Sequence, residues 1–224
     1  ELLKSGQIAL GTVQWGDALP MKHPKISVIA PMPSTAELFS ENSINGDSIT
    51  VWLNNFSGDS ITFQVEDSRA IVDTIKIHLG KASAKSSRGK TSFTQDSRKL
   101  KLTCNANQGA IFDFAKQLVI STNNPVKNFK AGDFILLRGT DTLKTVVSLS
   151  ENKRYLSFDY KFEEDSSYSI FIKPGAITDC FNQKNDTLKS KFKIQESNYY
   201  GTLALKFTDL PAGNYILNLM NEKG

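Results

Sequence analysis

Apolar residues recur at every second position along almost the whole chain, and that period limits the fold more than any other feature. Ser48-Ile49-Thr50-Val51-Trp52-Leu53, Ser60-Ile61-Thr62-Phe63-Gln64-Val65 and Asp73-Thr74-Ile75-Lys76-Ile77-His78-Leu79 are short β-branched and aromatic runs. Asn, Gly, Asp and Ser separate them, which is the turn chemistry of antiparallel strands. The same texture returns at 99–104, 110–114, 133–138, 143–149, 154–160, 167–173, 187–194, 200–207 and 214–220. Helical periodicity is scarce; the best stretch is one turn at Ser34–Phe39, with Ser34 as its cap. The expected fold class is all-β, with antiparallel sheets stacked as tandem sandwiches.

A chain of 224 residues exceeds one small domain, and 14 Phe among 39% hydrophobic residues can fill more than one core. The clearest boundary is Gly80 to Ser97, small and basic apart from Phe93, which reads as a solvated linker or long loop. A softer boundary lies at Gln195-Glu196-Ser197-Asn198. The expected division is 1–80, a basic linker at 81–98, a second unit at 99–195, and a tail at 196–224. The tail should hold one hairpin, Gly201–Phe207 and Asn214–Met220 about a Pro211/Gly213 turn, opening a further β-domain or packing on the second unit. No initiator Met or signal-peptide pattern is present, so the expected context is a longer precursor. No apolar run approaches the ~20 residues of a membrane span.

Two Cys and two His leave no disulfide scaffold, no four-thiolate zinc site and little imidazole chemistry. A net charge of +4 is mild for a nucleic-acid binder. The basic cluster Lys81, Lys85, Arg88, Lys90, Arg98, Lys99 and Lys101 could meet a polyanion, but with Phe93 as its one aromatic it fits linker solvation better. Ala84–Thr91 satisfies a relaxed phosphate-loop pattern, yet no helix follows to hold the anion. Glu163-Glu164-Asp165 reads as a solvated turn rather than an acid–base pair, which would face each other across a cleft. Glu41, Asn42, Asn45 and Asp47 carry oxygen ligands suited to calcium, without the spacing of a fixed calcium loop. Cys104 and Cys180 are expected as buried thiols, or as a pair if their Cα atoms come within bonding range. His78 should sit on an outer strand face and His23 in a loop, neither with a nucleophile beside it. The expected catalytic, metal and cofactor sites are therefore none.

Eight of the fourteen Asp residues precede Ser or Thr. In five, Asp47-Ser48-Ile49, Asp59-Ser60-Ile61, Asp73-Thr74-Ile75, Asp141-Thr142-Leu143 and Asp186-Thr187-Leu188, an aliphatic residue follows. One reading is structural: Asp closes a turn and a β-favouring pair starts the strand. The other is modification, because this tripeptide resembles an O-glycosylation acceptor of exported proteins in some Gram-negative bacteria. That makes Ser48, Ser60, Thr74, Thr142 and Thr187 candidate acceptors.

Gly109–Leu118, Leu156-Ser157-Phe158, Tyr168–Ile172, Pro174-Gly175-Ala176-Ile177-Thr178-Asp179 and Asn185-Asp186-Thr187 together resemble bacterial Ig-like domains of the SbsA type, found in envelope lipoproteins. Gln117 stands where that family commonly has Pro, and Cys180-Phe181-Asn182 replaces its usual loop glycine. In this setting Tyr168 opens a strand with its ring inward, Gly175 permits a tight turn and Asp179 fastens the next loop. Residues 1–80 resemble the domain that precedes this unit in those lipoproteins. Leu210-Pro211-Ala212-Gly213-Asn214-Tyr215 resembles the turn of transthyretin-like or carboxypeptidase-regulatory-like β-domains. The resemblance implies tandem Ig-like sandwiches in an exported cell-envelope protein, held to the periplasmic or outer-membrane surface by a lipid anchor upstream. It supplies no catalytic residues. The expected role is a non-enzymatic spacer. The alternative is a binding module for a glycan, peptide or envelope protein, and a third reading is an ancillary domain of an envelope hydrolase. Exposed Trp15, Trp52 or Tyr199/Tyr200 would favour binding; buried aromatics favour the spacer.

Overall fold

The computed structural model describes residues 2–9, 12–17, 25–30, 35–43, 47–56, 58–67, 70–79, 99–208, 211, 213–218 and 220. Among them there is no α-helix; apart from two short 3-10 turns, the regular structure is β. The first seven strands are β1 (Leu2–Ala9), β2 (Thr12–Asp17), β3 (Lys25–Ala30), β4 (Glu37–Asn42), β5 (Ser48–Asn54), β6 (Ser60–Asp67) and β7 (Ala70–His78). They form an antiparallel sheet in the order β1-β2-β5-β4 and a second in the order β3-β6-β7. The two sheets share one core, because alternate residues of each turn inward. Ile49, Val51 and Leu53 of β5 meet Ile61, Phe63 and Val65 of β6 and Ile75 and Ile77 of β7.

The second sandwich begins with β8 (Leu102–Cys104), β9 (Ile111–Phe112), β10 (Leu118–Thr122), β11 (Val126–Phe129) and β12 (Phe134–Arg138). It continues with β13 (Asp141–Leu143), β14 (Val146–Leu149), β15 (Tyr155–Asp159), β16 (Ser167–Ile172), β17 (Ile177–Asp179) and β18 (Leu188–Ile194). One sheet runs β14-β15-β10-β8, the other β13-β12-β16-β18-β9, and β11 pairs with β17. The β18–β9 pair is parallel, with Lys193 opposite Ile111 and Ile194 opposite Phe112. The core is rich in rings: Phe162 lies 5.0 Å from Tyr168 and 6.0 Å from Phe112 between centroids, in edge-to-face contact. Tyr168 opens β16 with its ring inward, 1% exposed. Its hydroxyl accepts the Glu163 N–H at 3.0 Å, so the buried oxygen is satisfied. Gly175 takes φ +73 at the turn before β17, a conformation that side chains disfavour.

Three sequence expectations change. Glu37–Phe39 belong to β4 rather than to a helical turn, because β5 offers a full antiparallel partner from Asn54 to Ile49; Ser34 lies outside the described residues. The run 143–149 divides into β13 and β14, since the chain crosses there from one sheet to the other. The tail hairpin does not form: residues 201–208 and 213–218 carry no strand. A lone hairpin has no second layer on which to bury its apolar face, and Leu203, Leu205, Phe207 and Leu217 are more than half exposed. The stretch 80–98 lies outside the described residues, and with it the phosphate-loop pattern and most of the basic cluster.

Candidate functional site

β4 carries Glu37, Phe39 and Glu41 at alternate positions, so all three share one face of the strand. Their register partners on β5 are Asn54, Trp52 and Thr50. The opposite face of β5 faces the first core, which leaves Val51, Trp52, Leu53 and Asn54 buried in succession. A strand covered on both faces at the outside of a sandwich needs a second body against it. That body is the second sandwich.

Its contribution comes from β11, the turn between β14 and β15, and the loop after β17. Arg154 sits at the centre. Its guanidinium donates to Glu41 Oε2 at 2.9 Å, lies 5.1 Å from the Trp52 ring centroid, and donates through Nε to the Thr122 carbonyl. Asn152 donates to the other Glu41 oxygen at 2.8 Å. The Arg154 and Glu41 side chains are each 19% exposed, so this pair is shielded far better than an ordinary surface bridge. Lys153, in the left-handed region at φ +57, places its ammonium 5.3 Å from the Phe39 ring centroid. Lys127 of β11 donates to both Glu37 oxygens, at 2.8 and 3.0 Å. That hydrogen bond, with a second from Asn54, holds the Glu37 carboxyl below its ordinary value. Under the charged rim lies an apolar cluster of Trp52, Cys180 and Phe181, with Phe39 packed on it.

The loop that supplies Cys180 and Phe181 is fixed from within. Asp179 is fully buried and accepts hydrogen bonds from Asn124 Nδ2 at 2.7 Å, the Phe181 N–H at 2.9 Å and the Gln183 N–H at 2.8 Å. Cys180 N–H donates to the Pro125 carbonyl at 2.8 Å, and Asn182 takes φ +60, a left-handed turn that Asn tolerates. The structure thus brings together an acid-aromatic-acid strand and a basic, aromatic-tipped set of loops. Chemically this arrangement holds two bodies in register; its charges neutralise one another and present no reacting pair.

The residues singled out by sequence fall elsewhere or take structural partners. Glu163 pairs with Arg138, Glu164 accepts the Ser197 N–H at 2.9 Å, and Asp165 pairs with Lys193, so the three acids diverge. Of the calcium candidates, Glu41 is taken up by Arg154 and Asn152, Asp47 accepts from the Ser43 hydroxyl at 2.6 Å, and Asn45 lies outside the described residues. Cys104 and Cys180 are both buried and form no disulfide, which closes the pairing alternative, and burial raises the Cys104 thiol pKa. His78 is exposed at the end of β7, and His23 lies outside the described residues. Among the candidate acceptors Thr74, Thr142 and Thr187 are exposed, whereas Ser48 and Ser60 are half-buried at the first positions of β5 and β6. The Asp73 carboxylate accepts the Thr74 N–H at 2.7 Å, in keeping with the turn-closing reading. Trp52 is 3% exposed, Tyr199 and Tyr200 are 74% and 42% exposed, and the Trp15 side chain lies outside the described residues. Glu37, Phe39, Lys127, Lys153 and Arg154 were not singled out by the sequence; the alternation Glu37-Phe39-Glu41 was the one signal for them.

No protein-family model and no curated protein matches the chain. Solved structures similar to it include domains 4–9 of the surface layer protein SbsC, at 11% identity and a TM-score of 0.31, over 87% of this chain and 31% of that one. The I9–I11 tandem of titin follows at 12% identity and 0.25, over 88% and 66%. The Escherichia coli adhesin FdeC is 10% identical with a TM-score of 0.25, over 86% and 62%. The chain spans less than two thirds of the length of each. At these scores the likeness carries no weight for function. No helix among the described residues is long and apolar enough to cross a membrane.

Proposed function

We propose that this chain is a non-enzymatic structural module of an exported cell-envelope protein, with two Ig-like sandwiches set as one stiff spacer that displays or connects what lies beyond them. The observation that carries this reading is Arg154, lodged between Glu41 and Trp52 over the buried Trp52–Cys180–Phe181 cluster. A loosely strung pair of domains has no use for a shielded ion pair stacked on a buried tryptophan. Exposed pairs are worth about 0–1 kcal/mol, but a shielded guanidinium with one carboxylate and one ring partner holds more. The placement in the envelope, the lipid anchor and glycosylation at Thr74, Thr142 or Thr187 rest on the sequence resemblance and are part of the proposal.

The test is small-angle scattering on the wild-type chain and on Arg154→Ala. Wild type should give a single narrow distance distribution. The variant loses about 2 kcal/mol of coupling and should broaden that distribution while each sandwich keeps its own thermal transition. A wild-type chain as broad as the variant overturns the spacer.

A further inference from the structure

The end of the second sandwich holds a cluster of rings that neither core nor joint uses. A 3-10 turn at Ser197–Tyr199 follows β18 and presents Tyr199 with 74% of its surface exposed. Tyr199 and Tyr200 meet edge to face at 5.6 Å, and Phe114 meets Tyr200 in the same way at 5.5 Å. Beside them is a depression of about 550 Å³, within the range of small-ligand sites, roughly 300–1,000 Å³. Asp113 and Lys116 reach it from the turn after β9, and Gln195 from just past β18. The Lys116 ammonium and the Gln195 amide have no polar partner among the described residues.

The rings are held in place before any ligand arrives. Gln195 N–H donates to the Phe112 carbonyl at 2.9 Å, and Ser197 N–H to the Glu164 carboxylate at 2.9 Å. Asp113 accepts the Ala115 N–H at 2.9 Å, which fixes the turn beside Tyr200. Partial desolvation first, and the neighbouring Asp113 carboxylate second, raise the Tyr200 pKa. An aromatic ring fixed by its backbone yet left three-quarters bare gains little from packing. It is preorganised for a partner.

We propose that this depression is a saccharide-binding site, in which Tyr199 stacks on the apolar face of a pyranose ring. A pyranose is a disc with C–H groups on its faces and hydroxyls around its rim. It needs an open ring face beside a mixed set of donors and acceptors, and Tyr199 with Gln195, Lys116 and Asp113 is such a set. An acyl chain would desolvate those polar groups without replacing their hydrogen bonds. A phosphate would find one cation with a carboxylate beside it. A peptide strand would find only the two residues of β9 as open edge. The site goes beyond the spacer reading and does not depend on it.

The probes are chitotriose, maltotriose and a trigalacturonate, titrated into the whole chain and followed by tyrosine side-chain resonances. At least one should shift Tyr199 and Tyr200 saturably below about 10 mM. Tyr199→Ala should weaken that binding about tenfold, whereas Tyr155→Ala, a half-exposed tyrosine elsewhere, should leave it unchanged. Backbone resonances of β16 and β18 report that each variant is folded. The site is refuted if no probe binds, or if Tyr199→Ala binds as wild type does. It is equally refuted if a soluble quencher fails to reach Tyr199 because the residues after Tyr200 cover it.

Discussion

Asp179 illustrates how much one carboxylate can organise. It has no exposed surface, and its oxygens collect an amide from across the sandwich and two backbone N–H groups from its own loop. Asp179→Ala leaves those donors buried without an acceptor, each costing about 1–3 kcal/mol. The expected result is a loss of about 3 kcal/mol in the second sandwich, read by chemical denaturation, together with new reactivity of Cys180 toward a thiol reagent. An unchanged midpoint would show that the loop is held by other contacts. Asp179, Gly175 and Tyr168 were all legible, because each has a local task that its residue type announces. Trp52 and Phe181 were not. Whether an aromatic side chain lies bare or beneath another body depends on what arrives from 130 residues away, and a period of two does not carry that information.

At the scale of elements, β4 is the instructive case. Ala36-Glu37-Leu38-Phe39 suits one helical turn as well as a strand, and local propensity is too weak to choose. Pairing with β5 settles it, and the strand then turns Leu38 toward the first core and Glu37, Phe39 and Glu41 toward the second sandwich. β10, β11 and β17 were also missed as strands: β11 and β17 have only four and three residues, and Lys127-Asn128 breaks the alternation of β11. The acids on β4 make the joint sensitive to acid. Glu37 has a folded pKa below its ordinary value of 4.5, so its pairing contributes above that value and is lost as pH falls through the folded pKa. Melting temperatures of wild type and Glu37→Gln should therefore differ at pH 7 and draw together as the pH falls below 4.5. A difference that does not shrink with acidification would contradict a stabilising Glu37–Lys127 contact.

For the whole molecule, the all-β class followed from alternation alone. The tail did not follow the same rule, since Leu203, Leu205 and Phe207 alternate yet find no sheet. Alternation tells what a segment can bury, not whether a partner is there to bury it.

The parallel pair of β9 and β18 has a mechanical consequence. Three backbone bonds join the strands, from Gly109 N–H to Lys191 O, Lys193 N–H to Ala110 O and Gln195 N–H to Phe112 O. Tension that enters ahead of β8 and leaves through Gln195 drags the two strands in opposite directions along their own axes. All three bonds are then loaded together in shear, and none can be unzipped first. Gln195→Pro removes one of the three, and in single-molecule pulling it should lower the rupture force of this sandwich while changing its equilibrium stability by only about 1 kcal/mol. Under load, the second sandwich would resist until this clasp gives way.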